Sequence, residues 1–144
     1  MNERGIISLT ALCMMLILSI AIATVRNIAA RQADIVKYYR LENELQSAAE
    51  SYFNEVVANL SQNAKCYEDN PPSLRSFPIK SFDEQANVTI YLRNPNNNEI
   101  IIMSLAEIPN YHYDEYSVYK KVVGYMTSED NEKYEFAGYI STKE

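Results

Sequence analysis

An uncharged apolar run, Ile6–Val25, constrains this chain more than any other feature. It stands directly behind a short polar leader, Met1–Gly5. At about 1.5 Å of rise per residue, an α-helix of this length spans about 30 Å, the thickness of the hydrocarbon core of a bilayer. Neither Gly nor Pro occurs between Ile6 and Asn70. Because these are the two strong helix breakers, the sequence predicts a helix that continues well past Val25.

The length of 144 residues leaves roughly 100 residues for one small domain outside the membrane. This size excludes a multidomain enzyme. The predicted organisation has four parts: a leader at 1–5, a transmembrane and assembly helix at 6–25, an amphipathic helix continuing into the head at 26–65, and a small β-rich head domain at 66–144.

Negative charge is concentrated in the C-terminal part. The whole chain carries a net charge of -6, and residues 66–144 hold seven Lys and Arg against thirteen Asp and Glu. Nucleic acids and anionic lipids are bound through clusters of Lys and Arg, and none is present here. We therefore expect no direct binding of nucleic acid by the head.

Residues 26–65 change character along the predicted helix. Ile28, Ile35 and Tyr39 fall near one line of an otherwise charged stem. In the second part, the apolar residues lie on one arc that the head should bury, namely Leu45, Ala49, Tyr52, Phe53, Val56, Val57, Leu60 and Ala64. A single helix from Ile6 to Ala64 would be roughly 85 to 90 Å long, so lipid or other chains must cover part of it.

The sequence beyond the helix predicts strands. The segment Cys66–Ser81 contains three prolines and indicates an irregular connection. Alternation in Ala86–Arg93 indicates a strand with one buried face, and a turn at Asn94–Asn98 leads into a more buried strand, Glu99–Leu105. A second hairpin is predicted from two further strands, Tyr116–Met126 and Lys133–Ile140. The predicted fold class is α+β, a long N-terminal helix packed on an antiparallel sheet of about four strands.

The polar leader ending in Gly5, the unbroken helix behind it and the small β-rich head resemble the prepilins of type IV pili and related secretion systems. Within this family, the sequence resembles the minor pilins and pseudopilins of the PilX and K type, including the last competence pseudopilin of Gram-positive bacteria. Asn43–Ser51 is similar to their A-x-x-A-A-E-A segment, through Ala48, Ala49 and Glu50. The resemblance implies cleavage by a prepilin peptidase after Gly5 and methylation of the new N-terminal residue, Ile6. It further implies assembly with other pilin subunits.

One position departs from the pattern of the resembled family. Most pilins carry a glutamate five residues after the cleaved glycine, where it neutralises the terminal ammonium group of a neighbouring subunit. Thr10 occupies that position here. A lone buried carboxylate is costly unless it is paired, so a subunit with no neighbour above it has a physical reason to lack one. The resemblance therefore favours a tip or initiating subunit, although a threonine bonded to a backbone carbonyl would suit any position.

The segment Asn110–Tyr119 is the richest in reactive side chains, with one His, two acids and four tyrosines. A single His without helical ligand spacing does not make a metal site, and no phosphate loop or nucleophile motif occurs. We therefore predict no cofactor, no metal and no catalysis. The segment is expected to be a polar loop leading into a strand, and its ring side chains form a candidate contact surface of Tyr111, His112, Tyr113, Tyr116 and Tyr119.

Two alternatives concern processing and topology. Ala21-Ile22-Ala23 fits a secretory signal-peptide site, which would release a soluble head starting at Thr24, and an uncut chain would be a single-span anchor. By the positive-inside rule, the basic residues of 26–40 would place the head in the cytoplasm. The resemblance predicts the opposite: a single-pass protein of the cytoplasmic membrane whose head is extracytoplasmic, and which joins a pilus or pseudopilus after assembly. Pilus, secretion and DNA-uptake systems remain equally compatible with the sequence.

Overall fold

The structure is a computed structural model that describes residues 3–63, 74–80, 84–96, 98–113, 116–129 and 133–141. Its first element, α1, is a single helix at Glu3–Gln62 of 60 residues. The chain divides into two units, Met1–Tyr39 and Arg40–Glu144. The predicted unbroken helix is confirmed, with its end two residues before the expected Ala64.

The first unit consists of the N-terminal part of α1. From Ser8 to Tyr39 the side chains are exposed, except for the half-buried Tyr38. Two hydroxyls in the apolar run bond back to the preceding turn: Ser19 Oγ donates to the Met15 carbonyl at 2.8 Å, and Thr24 Oγ1 donates to the Ile20 carbonyl at 2.9 Å. In such a bond the hydroxyl donates to a backbone carbonyl of its own helix. It therefore needs no partner from the surroundings of the helix, and the apolar run can lie in an apolar environment.

The second unit packs the C-terminal part of α1 on one antiparallel sheet. The strands are β1 at Arg75–Ile79, β2 at Glu84–Asn96, β3 at Glu99–Tyr113, β4 at Tyr116–Thr127 and β5 at Glu135–Tyr139. They are ordered β1-β2-β3-β4-β5, so every strand pairs with its neighbours in sequence. The predicted α+β class and antiparallel meander are confirmed, with five strands where about four were expected.

The additional strand is β1, and the prediction of an irregular connection was wrong for these residues. Pro78 lies within β1 and pairs in register with Gln85 of β2. Proline is tolerated because β1 is an edge strand, which needs ladder hydrogen bonds on one side only. Packing holds the strand in place: Ile79 is buried, and the Phe77 and Tyr52 rings lie 6.3 Å apart between centroids.

The core lies between α1 and the face of the sheet that carries the even-numbered residues of β2, β3 and β4. Burial on the helix begins at Leu41 and recurs at helical spacing through Leu60. On the sheet, the buried residues alternate as the strand period requires. The core residues of these three strands are Ala86, Val88, Ile90, Ile100, Ile102, Ser104, Ala106, Ile108, Val118, Val122 and Met126.

Polar contacts tie the helix to each of the strands β1, β3 and β4, and the first of them joins Arg75 of β1 to Glu55 of α1. The buried Ser104 hydroxyl donates to the carbonyl of Ala49 at 2.9 Å. Closer to the start of the buried helix, Lys120 Nζ lies 2.9 Å from Glu42 Oε1, and each side chain is 24% exposed. These contacts lie at different points along α1 and add to the apolar packing between the helix and the sheet.

Irregular pairing lets β3 reach further than its sequence predicts. In β3 the register shifts between Glu107 and His112, and Asn110 adopts a positive φ of 61°. Asparagine is one of the few residues that accept this left-handed conformation, so the strand continues to Tyr113 despite a turn-forming Pro-Asn pair. The loop predicted to lead into the strand at Tyr116 is thus itself a strand as far as Tyr113, the strand from Tyr116 is confirmed, and residues 114–115 lie outside the described residues.

A bulge in the last pair of strands creates an aromatic cluster. Tyr125 pairs with Gly138 whereas Met126 pairs with Phe136, so β5 contains one residue more than β4 at this point. Residues 136 and 139 would point to opposite faces of a regular strand, and the extra residue brings both to the helix side. Phe53 of α1 accordingly meets Phe136 at 6.0 Å and Tyr139 at 5.6 Å between ring centroids.

Candidate functional site

The predicted processing residues, Gly5 and Ile6, lie within α1, whose described part begins at Glu3. The side chains of the apolar run that follows, from Ser8 to Val25, are exposed and not buried by other parts of the described chain. Met14, Ile17 and Leu18 are all more than 60% exposed. An 18-residue window of this helix reaches a mean hydropathy of 2.3 with none of it buried. By length and composition, the helix can therefore cross a membrane once.

Thr10 lies on the exposed part of α1 among these apolar side chains. The three residues around it, Leu9, Leu12 and Met14, are all more than half exposed. Residues 8–25 contain no ionisable side chain other than Cys13. Thr10 therefore stands in a neutral segment of apolar side chains, at the position where the pilins that the sequence resembles carry a glutamate.

The structure separates the three residues of the A-A-E segment. Ala48 and Ala49 are buried against the sheet of their own chain, and the Ala49 carbonyl accepts the Ser104 hydrogen bond. Glu50 is exposed and accepts a 2.6 Å hydrogen bond from Gln46 Nε2 one turn earlier. The small residues of this segment thus allow close contact between α1 and β3, and only Glu50 faces outward.

The predicted tyrosine contact surface is described only in part. Tyr111 is half-buried near the end of β3, and Tyr119 on β4 is 55% exposed. The side chains of His112, Tyr113 and Tyr116 lie outside the described residues. Their backbones pair across the hairpin, His112 with Ser117 and Tyr113 with Tyr116.

Tyr119 belongs to a larger surface that the sequence did not reveal, the side of the sheet opposite α1. We call it the outer sheet face. It consists of the odd-numbered residues of β2, β3 and β4, which the strand period turns away from the core. In register, it comprises four rows: Asn87, Glu107 and Tyr119; Thr89, Leu105 and Lys121; Tyr91, Met103 and Val123; and Arg93, Ile101 and Tyr125.

The outer sheet face has an apolar stripe along β3, with Glu107 in the first row, Arg93 in the fourth and the exposed Lys121 beside the stripe in the second. Ile101, Met103 and Leu105 form a continuous stripe along β3, and each is half-buried by its neighbours. Three tyrosines surround this stripe and are strongly exposed: Tyr91 at 49%, Tyr119 at 55% and Tyr125 at 37%. Because antiparallel sheets commonly present polar residues to water on their second face, this composition indicates a contact surface.

A shallow groove lies on the other side of the same unit, between α1 and the edge strand β1. It encloses about 380 Å³. Its lining combines opposite charges with hydroxyl and apolar groups, namely Glu44, Lys80, Ser47, Ser51, Ala48, Phe77 and Pro78. With both signs of charge present, the groove does not select an ion of one sign.

Within the part of the chain that the structure describes, no three His, Cys, Asp or Glu side chains cluster as metal ligands. A long apolar N-terminal helix packed on an antiparallel sheet is compatible with a pilin-like fold. Comparisons with protein-family models, with curated protein sequences and with solved structures gave no match to the chain.

Proposed function

We propose that this chain is a minor pilin or pseudopilin, acting by assembly and not by catalysis, and placed at the tip or initiating position of a filament. The observation that supports the proposal best is the contrast along α1. Its first part exposes an apolar surface of membrane length, whereas its last part, from Leu41 to Leu60, is buried by the chain's own sheet.

An exposed apolar helix needs a solvent other than water. In the bilayer, lipid covers such a helix, and its backbone groups are satisfied internally. In a filament, the same surface would be covered by the corresponding helices of neighbouring subunits. The proposal uses both states: the helix anchors the subunit first, and then leaves the bilayer by exchanging lipid for protein.

Thr10 supports a terminal position in this assembly. A glutamate there would be neutralised by the terminal ammonium of the next subunit, and without that partner it would be a costly buried charge. A threonine carries no such cost. A subunit that never receives a neighbour above it is therefore compatible with Thr10, and a major subunit is less so.

The direct test is the N-terminal sequence of the mature protein isolated from both the membrane and the soluble fractions of its native cells. A chain beginning at Ile6 supports the proposal. A chain beginning at Thr24 would identify a secreted head released by signal peptidase, and one beginning at Met1 would identify an uncut single-span anchor. Either result overturns the pilin proposal.

Topology gives an independent test. A reporter that is active only outside the cytoplasm, fused after Glu144, should be active, and a reporter that is active only in the cytoplasm should not. The reverse result would mean that the basic residues Arg26, Arg31, Lys37 and Arg40 determine orientation, and would rule out a pilin.

A further inference from the structure

The outer sheet face is self-complementary, because its two ends carry opposite charges. Glu107 of β3 lies in the first row and Arg93 of β2 lies in the fourth, and both are exposed. Six residues along a strand separate these rows, which is about 20 Å at 3.4 Å per residue. The two side chains are therefore too far apart to pair within one chain. They are placed to pair between two chains.

We propose that the outer sheet face binds the same face of a second copy of this chain. In a two-fold symmetric contact, the same surface is used by both partners. If the strands of the two sheets run antiparallel, the first row of one copy lies over the fourth row of the other. Glu107 then lies beside Arg93 of the second copy, and symmetry makes this pair twice.

In the two middle rows of this arrangement the β3 residues match, and Lys121 at the β4 edge lies over Val123 of the second copy with its ammonium group extended toward solvent. Leu105 lies over Met103 of the second copy, so the apolar stripe of β3 is covered by an identical stripe. Tyr119 lies over Tyr125, which gives an aromatic contact at each end. The alternative two-fold axis, along β3, would place Glu107 opposite its own copy. Like charges directly opposed are unfavourable, so the antiparallel arrangement is selected.

The size of the surface indicates a weak contact. Three strands cover about 14 Å and seven residues cover about 24 Å, giving a footprint of about 340 Å². Stable protein interfaces bury about 800 Å² on each partner. The pair should therefore form where both chains are held in one membrane, because confinement raises their effective concentration. The inference requires membrane anchoring but does not depend on assembly into a filament.

The test uses the full chain in membranes and a thiol cross-linker. In a Cys13→Ser, Cys66→Ser background, Thr89→Cys places one thiol on the outer sheet face, where symmetry brings it close to the same thiol of the second copy. A short bifunctional maleimide should then yield a dimer. Asn54→Cys is the matched control, because Asn54 is exposed on α1 and lies away from the outer sheet face. It should yield little dimer.

Charge reversal decides whether the partner is a second copy. Arg93→Glu alone, or Glu107→Arg alone, should lower the cross-linked dimer about tenfold, since each change replaces two attractive pairs by two repulsive ones. Combining both changes in one chain should restore the dimer. Co-expression of the two single variants should also restore it, because each then supplies the charge that the other needs.

The restored dimer also shows that the variants fold. The proposal is overturned if charge reversal leaves the dimer unchanged, if the combined variant is not restored, or if Asn54→Cys gives as much dimer as Thr89→Cys. Cross-linking of Thr89→Cys only to a different protein would likewise overturn it, and would assign the outer sheet face to another partner. These outcomes do not depend on cleavage after Gly5, because a chain cut there and an uncut chain both keep the apolar helix that holds them in the membrane.

Discussion

The ring of Phe53 occupies the space that a side chain at Gly124 would need. A Cβ atom at Gly124 would lie 2.6 Å from Cζ of Phe53, 3.0 Å from Cε2 of Phe136 and 3.1 Å from the Gly138 carbonyl oxygen. Phe53 is 1% exposed and packs against Phe136 and Tyr139, so it cannot move away without disturbing the aromatic cluster. Glycine at this position is therefore a requirement of the contact between α1 and β4.

Gly124→Ala should destabilise the head by about 1–3 kcal/mol, the usual range for adding volume to a packed core. Unfolding by urea, followed by the near-ultraviolet circular dichroism of the tyrosines, would measure the loss. The control is a double-mutant cycle with Phe53→Leu, which removes the atom nearest the new methyl group. Gly124→Ala should cost less in that background, and equal costs in both backgrounds would contradict the steric explanation.

The buried hydroxyl of Ser104 on β3 donates a hydrogen bond to α1, at the carbonyl of Ala49. Ser104→Ala should lower the free energy of unfolding by about 1 kcal/mol, the net value of an average hydrogen bond. The loss should not be larger, because the Ala49 carbonyl keeps its helical partner. The control is Ser47→Ala, an exposed serine on α1, which should be neutral or slightly stabilising through its helix propensity. A stabilising effect of Ser104→Ala would show that the bond contributes nothing.

The Lys120–Glu42 ion pair should contribute more to the free energy of unfolding than the Arg75–Glu55 pair. The first is 24% exposed on both sides, whereas the side chains of the second are 47% and 42% exposed and more strongly screened. A double-mutant cycle of Glu42→Gln with Lys120→Gln should give a coupling energy of about 0.5–1 kcal/mol, and the cycle at Arg75 and Glu55 a smaller one. Repeating both cycles in high salt should reduce the Arg75–Glu55 coupling by the larger fraction. Equal coupling would show that burial does not distinguish these pairs.

The long helix and four of the strands could be predicted from sequence because their patterns are local. Apolar periodicity and the absence of Gly and Pro determine α1, and the alternation in Ala86–Arg93 is the ordinary signature of a strand with one buried face. β1 could not be predicted in this way. Its five residues include Pro78, and it forms because β2 supplies its hydrogen bonds and because Phe77 reaches Tyr52. Both of these are tertiary contacts.

The outer sheet face escaped prediction for a related reason. Ile100 to Met103 is a continuous apolar run, which indicates a buried strand without saying which side is covered. The structure covers Ile100 and Ile102 with α1 and leaves Ile101 and Met103 on the other side. The charges at the two ends of this face come from different strands, so only the register of β2 with β3 relates Arg93 to Glu107.

The processing site predicted at Gly5 can be tested by a single substitution. Gly5→Phe should leave the chain uncut and held in the membrane, because a bulky side chain obstructs the approach of a peptidase to the backbone. Leu9→Phe is the matched control: it introduces the same ring four residues later, on the exposed apolar surface of α1, where a larger apolar side chain is tolerated in lipid. The mass of the mature chain distinguishes cut from uncut protein. Normal cleavage of Gly5→Phe would refute this site, whereas loss of cleavage in both variants would indicate a defect in membrane insertion and not in recognition of the glycine.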